Sequence, residues 1–258
     1  MAESTGTNEP GAWESYWQLA GTSPDLPVPW HFGTAEDMAP YLPMLLAGFD
    51  SRLPLVDAGC GNGGLTEHFA EHFETVLGTD VAAAALEKAH TGNGNTWIGR
   101  TRIGRTGNGH TGVRYEQLDS TDLAAVRALH ERIGDANVHL RGVLHAMAAE
   151  QWPNALAGLA VLTGQRGRVF DVELSERFTE SLAELAECFG EWPEAIREAA
   201  TTGLWPAELP AQGLTGLYRR HGWLVMEAGE LALSSRVPLP DGTFLHLPFE
   251  YALVRRHA

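Results

Sequence analysis

The residues best suited to chemistry in this sequence are four closely spaced glycines, at 59, 61, 63 and 64, set between Asp57 and Asp80, and a histidine at 145. Glycines at that density let a backbone turn sharply and bring its N–H groups close to a ligand. A helix starting there adds a partial positive charge. The spacing Gly59-x-Gly61-x-x-Gly64 matches a dinucleotide fingerprint, a weak signal by itself. Asp57 changes its meaning. A carboxylate two residues before the first glycine is poorly placed beside a pyrophosphate and suits a ligand carrying an ammonium group and a sulfonium. Asp80 lies 21 positions after Gly59, near the spacing at which an acidic residue takes both ribose hydroxyls. It can equally cap the helix VAAAALEKAH. His145 is either a general base, for which an imidazole is suited near neutral pH, or a packing and hydrogen-bonding residue beside a cofactor. His68 and His72 stand at i, i+4, but no Glu follows His68 and no third ligand is evident, so no metal is expected.

These residues need a scaffold that gathers them. LPLV reads as a strand ending at Asp57, and LTEHFAEHFE as an amphipathic helix facing inward through Leu65, Phe69 and Phe73. Thr75–Thr79 reads as a second strand ending in Asp80, and Val113–Leu118 as a third, followed by Asp119 and Ser120. NVHLRGVLHAM reads as a fourth strand ending in His145. Arg141 lies inside it and needs a partner if buried. Asp119 or Thr121 can alternatively cap TDLAAVRALHERIG. RVFDVEL reads as a fifth strand with Asp171 and Glu173 on one side, at the pocket rim or the sheet rim. Alternating strands and helices give a doubly wound α/β sheet. Its ligands sit outside the carboxyl ends of the strands, between strands one and four.

The flanks read as covers. Trp13, Tyr16 and Trp17 share one face of a helix that either packs on the body or closes the site mouth. DLPVPWHFG is extended by its prolines. Residues 35–48 form a helix broken at Pro40 or Pro43, with Tyr41 in core or pocket. Residues 91–112 repeat TGNG around Arg100, Arg102 and Arg105 and exceed an ordinary connection; a mobile flap without chemistry is expected. Residues 175–222 exceed a crossover helix and read as a helical lid. Its Trp192 and Trp205 either wall the substrate or pin the lid. The final two strands, joined through Pro240-Asp241-Gly242, form an antiparallel hairpin.

VDAGCGNGG resembles the first motif of class I S-adenosylmethionine-dependent methyltransferases. The order "YW, Gly, PW" ahead of it resembles thiopurine S-methyltransferase-like and related small-molecule enzymes, the natural-product tailoring branch included. RGVLHAM resembles their fourth-strand segment. The resemblance implies a Rossmann-like, doubly wound sheet of seven strands with an antiparallel terminal pair and a helical lid. It divides the chain into a disordered tail (1–10), cap helices (11–50), a cofactor-binding core (51–174), a lid (175–222) and the terminal pair (223–258). It implies cofactor contacts from Asp57, Gly59, Cys60, Gly61 and Asn62, from Asp80 and Val81, and from Asp119 and Ser120, with Trp30 lining the site. His145 and His31 are the implied catalytic residues, although the family often carries an acidic residue where this chain has His31. Trp17, Tyr41, Trp192 and Trp205 are the expected substrate pocket.

The implied activity is methyl transfer from S-adenosylmethionine to a small organic acceptor, oxygen favoured, with S-adenosylhomocysteine as product and a place in secondary metabolism. Two alternatives share the same binding residues: an enzyme that binds S-adenosylmethionine without transferring its methyl, such as a cyclase, and a non-catalytic binding module. A nicotinamide oxidoreductase is disfavoured by Asp57 and by the terminal strand pair. Composition narrows the partners. The net charge of −15 over 258 residues argues against nucleic acid or an anionic membrane, which require a basic surface. A small-molecule acceptor and a homodimer remain. The opening MAESTGTNEPGAWES lacks the stretches of a signal peptide. Two cysteines, Cys60 and Cys188, make no disulfide framework, so a cytoplasmic location is expected.

Overall fold

The computed structural model describes residues 10–19, 34–91, 112–194, 196–197, 204–207, 209–210 and 212–257. Trp30, His31 and residues 92–111 of the Gly- and Arg-rich stretch lie outside them. Among the described residues the first elements are the helices α1 (Pro10–Leu19), α2 (Ala35–Met38) and α3 (Leu42–Gly48). The break between α2 and α3 follows the prolines. Pro40 lies in the intervening turn, and Pro43 sits in the first turn of α3, where a missing N–H costs nothing.

Strands and helices then alternate: β1 (Leu55–Ala58), α4 (Gly64–Phe69), β2 (Val76–Asp80), α5 (Ala83–Thr91), β3 (Val113–Gln117), α6 (Leu123–Ile133), β4 (Asn137–Arg141), α7 (Trp152–Thr163), β5 (Val169–Leu174) and α8 (Phe178–Phe189). A last helix, α9 (Gly213–Arg220), leads into the hairpin of β6 (Trp223–Pro238) and β7 (Phe244–Arg256). One seven-stranded sheet results, in the order β3-β2-β1-β4-β5-β7-β6. Strands β1 to β5 are parallel, and β7 runs antiparallel to both β5 and β6. This is the Rossmann-like, doubly wound α/β sheet. Every residue of β1, β2 and β5 is buried, as a parallel sheet covered on both faces requires.

Two cores flank the sheet. One joins Tyr41 and Leu45 of the cap helices to Phe69, Phe170, Phe178 and Phe249; the other joins Val126, Leu159, Leu217 and Trp223. Register assigns the polar side chains to these faces. Asp57 lies opposite His139, and Arg141 opposite Val172, while Leu140 lies opposite Asp171. Because alternate residues of a strand share a face, Asp57, His139 and Arg141 point one way and Asp171 and Glu173 the other.

Three local expectations are corrected. The helix after the glycine turn stops at Phe69, yet Phe73 is still buried because a further turn follows. The fourth strand ends at Arg141, not His145: Gly142 adopts φ +70 and turns the chain out of the sheet. Helix α6 is capped by Asp122, whose side chain accepts from Ala124 and Ala125 N–H, at 2.9 and 3.1 Å, rather than by Asp119 or Thr121. Asp119 instead accepts the Thr121 N–H and O–H at 2.8 and 2.6 Å, fixing the loop after β3. No described helix is long and apolar enough to cross a membrane.

Candidate active site

A cavity of about 190 Å³ opens at the carboxyl ends of the parallel strands. Its walls come from the turn after β1, the ends of β2 and β3, the segment after β4, α1, and residues Leu204 and Pro206. The glycine turn forms one wall by close approach. Gly59 and Gly61 have φ +70 and +55; a Cβ on Gly59 would lie 2.5 Å from the Val143 side chain, and one on Gly61 2.7 Å from the Trp17 indole. Side chains are excluded there by conformation and by space together. Cys60 between them donates its N–H to Thr79 O at 2.9 Å, locking the turn to β2. Burial, then the nearby Asp57 and Asp80, push the Cys60 thiol well above its usual range, so it is a wall and not a nucleophile.

Asp80 accepts the Gly61 N–H and the Ala82 N–H, each at 2.9 Å, one on each oxygen. Burial raises its carboxyl to about 6 despite those donors. Asp57 is also buried. One oxygen accepts the Thr66 hydroxyl at 2.5 Å, and the other lies 2.7 Å from His139 Nδ1, which donates to it. His139 is fully buried, stacked on Tyr41 at 5.8 Å with Phe69 against its edge at 4.8 Å.

His145, on the segment following β4, lines the cavity while its Nδ1 stands 2.5 Å from Glu173 Oε2. Leu174 N–H approaches the same nitrogen at 3.2 Å; Nδ1 has room for one proton, and the shorter contact marks it as shared with Glu173. Glu173 also accepts the Val143, Leu144 and His145 N–H groups at 2.9, 2.8 and 3.1 Å. Burial alone would raise the Glu173 carboxyl, but the charge and hydrogen bond of His145, with the N–H groups, outweigh it and hold the carboxyl below its ordinary range. Asp171, beside it on the same face of β5, is driven the other way, by burial and then by Glu173 itself. Ionisation is thus favoured at Glu173 over Asp171, which accepts the Tyr218 O–H at 2.8 Å.

The cavity brings together Asp57, Gly59, Cys60, Gly61, Asn62, Asp80, Val81, Asp119, Ser120, His145 and Trp17 from the sequence reading. Trp13 and Tyr16 join Trp17 on its wall. Tyr41 does not: it is fully buried core, stacked between His139 and Phe170. Trp192 and Trp205 stack on each other at 5.8 Å, and Trp205 packs on Phe178, so they pin the lid instead of lining the cavity. Asp171 and Glu173 lie beneath the site and not at its rim. His139 went unread as a site residue. Its signal was a histidine inside an apolar strand, in register with Asp57.

The arrangement fits an adenosyl sulfonium ligand. Three carboxylates, Asp57, Asp80 and Asp119, line the part of the cavity formed by β1, β2 and β3, which matches a cation. Bare backbone at Gly59 and Gly61 leaves room for close approach. Residues 56–129 match the methyltransferase-domain family model. The structure superposes on a SAM-dependent methyltransferase from Anabaena variabilis ATCC 29413 with TM-score 0.81 and 26% identity, over 96% of this chain and 95% of that one. It shares its fold, at TM-score 0.61 and 19% identity over 96% and 93% of the two chains, with a protein solved in work on conversion of a disulfide bond into a thioacetal group during echinomycin biosynthesis. A Mesorhizobium loti S-adenosylmethionine-dependent methyltransferase gives TM-score 0.53 and 17% identity over 85% and 99%. No curated protein matches the sequence. Over residues 56–129 this chain matches a methyltransferase-domain model, on a fold shared with SAM-dependent methyltransferases, and its cofactor is S-adenosylmethionine.

Proposed function

We propose that the protein methylates a small organic acceptor, with oxygen the favoured receiving atom. Bound in the cavity, the cofactor supplies an electrophilic methyl group on a sulfonium. The chain's own work is alignment, exclusion of water and removal of a proton. The observation that carries this reading is His145 on the cavity wall, backed from beneath by the buried Glu173. With Nδ1 engaged by Glu173, Nε2 of His145 is the nitrogen left to take the acceptor's hydroxyl proton, and the adjacent carboxylate stabilises the imidazolium that forms. The tailoring of natural products in secondary metabolism is the setting that the tryptophan and proline order before the glycine turn resembles. The two free cysteines, Cys60 and Cys188, suit a reducing cytoplasm.

The test begins with calorimetry of the purified protein against S-adenosylhomocysteine and NADH, expecting binding of the first and none of the second. A screen of hydroxylated acceptors then follows S-adenosylhomocysteine release by the native protein and His145→Ala. Turnover is expected to fall on the order of 100-fold or more in the variant, with cofactor affinity kept. Equal turnover rejects His145 as the base. An acceptor that is transformed without release of S-adenosylhomocysteine replaces methyl transfer with a non-transferring reaction.

A further inference from the structure

The charges around the cavity are sorted by strand. All three carboxylates that line it belong to the β1, β2 and β3 side, whereas its basic groups, His139, Arg141 and His145, belong to β4 and the segment after it. Among the described cavity-lining residues Arg141 is the one arginine or lysine, in a chain of net charge −15. Its guanidinium is held between the Tyr41 and Phe249 rings, 5.8 Å from each centroid, and donates from Nη1 to Asp37 O at 3.1 Å. His139 stands two residues earlier on the same face of β4. Its Nδ1 is committed to Asp57, and its Nε2, buried, has no hydrogen-bond partner although the residue lines the cavity. A buried polar atom without a partner is costly, and this one belongs to a side chain of the cavity wall, where a ligand atom can relieve that cost.

Resting on the methyltransferase reading above, we propose that His139 and Arg141 form the recognition wall for an acceptor that carries an acidic oxygen on a flat apolar ring. Such a group satisfies His139 in either state: an O–H donates to the bare Nε2, and an oxyanion accepts from the protonated one. Arg141 supplies the positive charge that an anion requires and an amine would avoid. Phe249, Leu204 and Pro206 give the apolar surface for the ring. The acidic oxygen is an anchor, and it is distinct from the oxygen presented to His145.

The probes are 4-coumarate and its neutral isostere 4-coumaramide, titrated calorimetrically into protein loaded with S-adenosylhomocysteine. The acid is expected to bind at least tenfold more tightly than the amide. Arg141→Met keeps an apolar stem without charge, and should bring the acid to the affinity of the amide while S-adenosylhomocysteine binds within twofold of native, which also reports that the variant is folded. Arg141→Lys should retain part of the preference. His139→Asn keeps an N–H for Asp57 and removes Nε2, and should lower the acid-to-amide ratio severalfold. Equal affinity for the two probes, absence of binding by either at millimolar concentration, or a preference surviving in Arg141→Met and His139→Asn overturns the inference. Protein that does not load with S-adenosylhomocysteine overturns the reading beneath it as well; protein that loads but treats the probes alike overturns this inference alone.

Discussion

Asp80 holds a carboxylate almost out of reach of water, with each oxygen already accepting one backbone N–H. The remaining lone pairs can accept ribose hydroxyls only while the group is ionised. Because burial lifts its titration to about 6, lowering the pH through that value converts an acceptor into a donor that faces donors. Affinity for S-adenosylhomocysteine should therefore be flat above about 6 and fall roughly tenfold per unit below it, as calorimetry from pH 5 to 8 will read. Asp80→Asn can keep only one of the two backbone bonds, since its amide nitrogen donates. It should weaken binding by about 10- to 100-fold at pH 7.5 and erase the slope; a slope that persists moves the titration to another group. Asp80 was legible in the sequence because its signal is local: an acid at the end of a strand, at a set distance from the glycines. His139 was not, because Asp57 is 82 residues away in sequence and only the pairing of β1 with β4 brings them together. His145 was found, but its meaning was not. A histidine at a strand end says nothing of the carboxylate on β5 that holds it.

At the scale of elements, the strands were readable because buried parallel strands are short, apolar and bounded by turns. Their ends were less so. The apolar residues continue past the point where β4 stops, since Leu144 stays buried and Val143 half-buried after the chain leaves the sheet, and their N–H groups are taken by Glu173 instead of a neighbouring strand. Hydropathy cannot tell these two kinds of burial apart. Helix packing sets a further constraint on the site. Gly158 of α7 lies so close to the loop after β3 that a Cβ there would stand 2.2 Å from Ser120 O. Alanine would favour the helix by about 1 kcal/mol, but backbone displacement of a packed loop costs about 1–3 kcal/mol. Gly158→Ala should lower Tm by a few degrees. It should also weaken S-adenosylhomocysteine binding, because Asp119 and Ser120 on that loop line the cavity. A raised Tm with unchanged affinity would mean that the loop gives way freely and does not set the cofactor wall.

Across the whole molecule, the cavity is closed by stretches that are remote in the chain and meet on one segment. Trp13 Nε1 donates to Ala146 O at 3.1 Å, and Ala207 N–H donates to His145 O at 2.6 Å. The first helix and the lid thus both fasten to the backbone that carries the candidate base. Helix α1 also reaches the cofactor side: Glu14 accepts the Ala84 N–H at 3.2 Å, and the Trp17 indole lies over Gly61. Neither Trp13 nor Trp17 belongs to the two cores that hold the sheet together. A cover that adds little to the core is one whose loss should cost binding more than folding. Trp17→Ala is accordingly expected to leave Tm within a few degrees of native while S-adenosylhomocysteine leaves on the order of tenfold faster in stopped-flow displacement. Trp13→Phe keeps the ring and removes one hydrogen bond, and should show a smaller effect of the same sign. A large fall in Tm for Trp17→Ala would instead make α1 part of the folding unit. Unchanged release would mean that the glycine turn and the three carboxylates hold the cofactor without any cover.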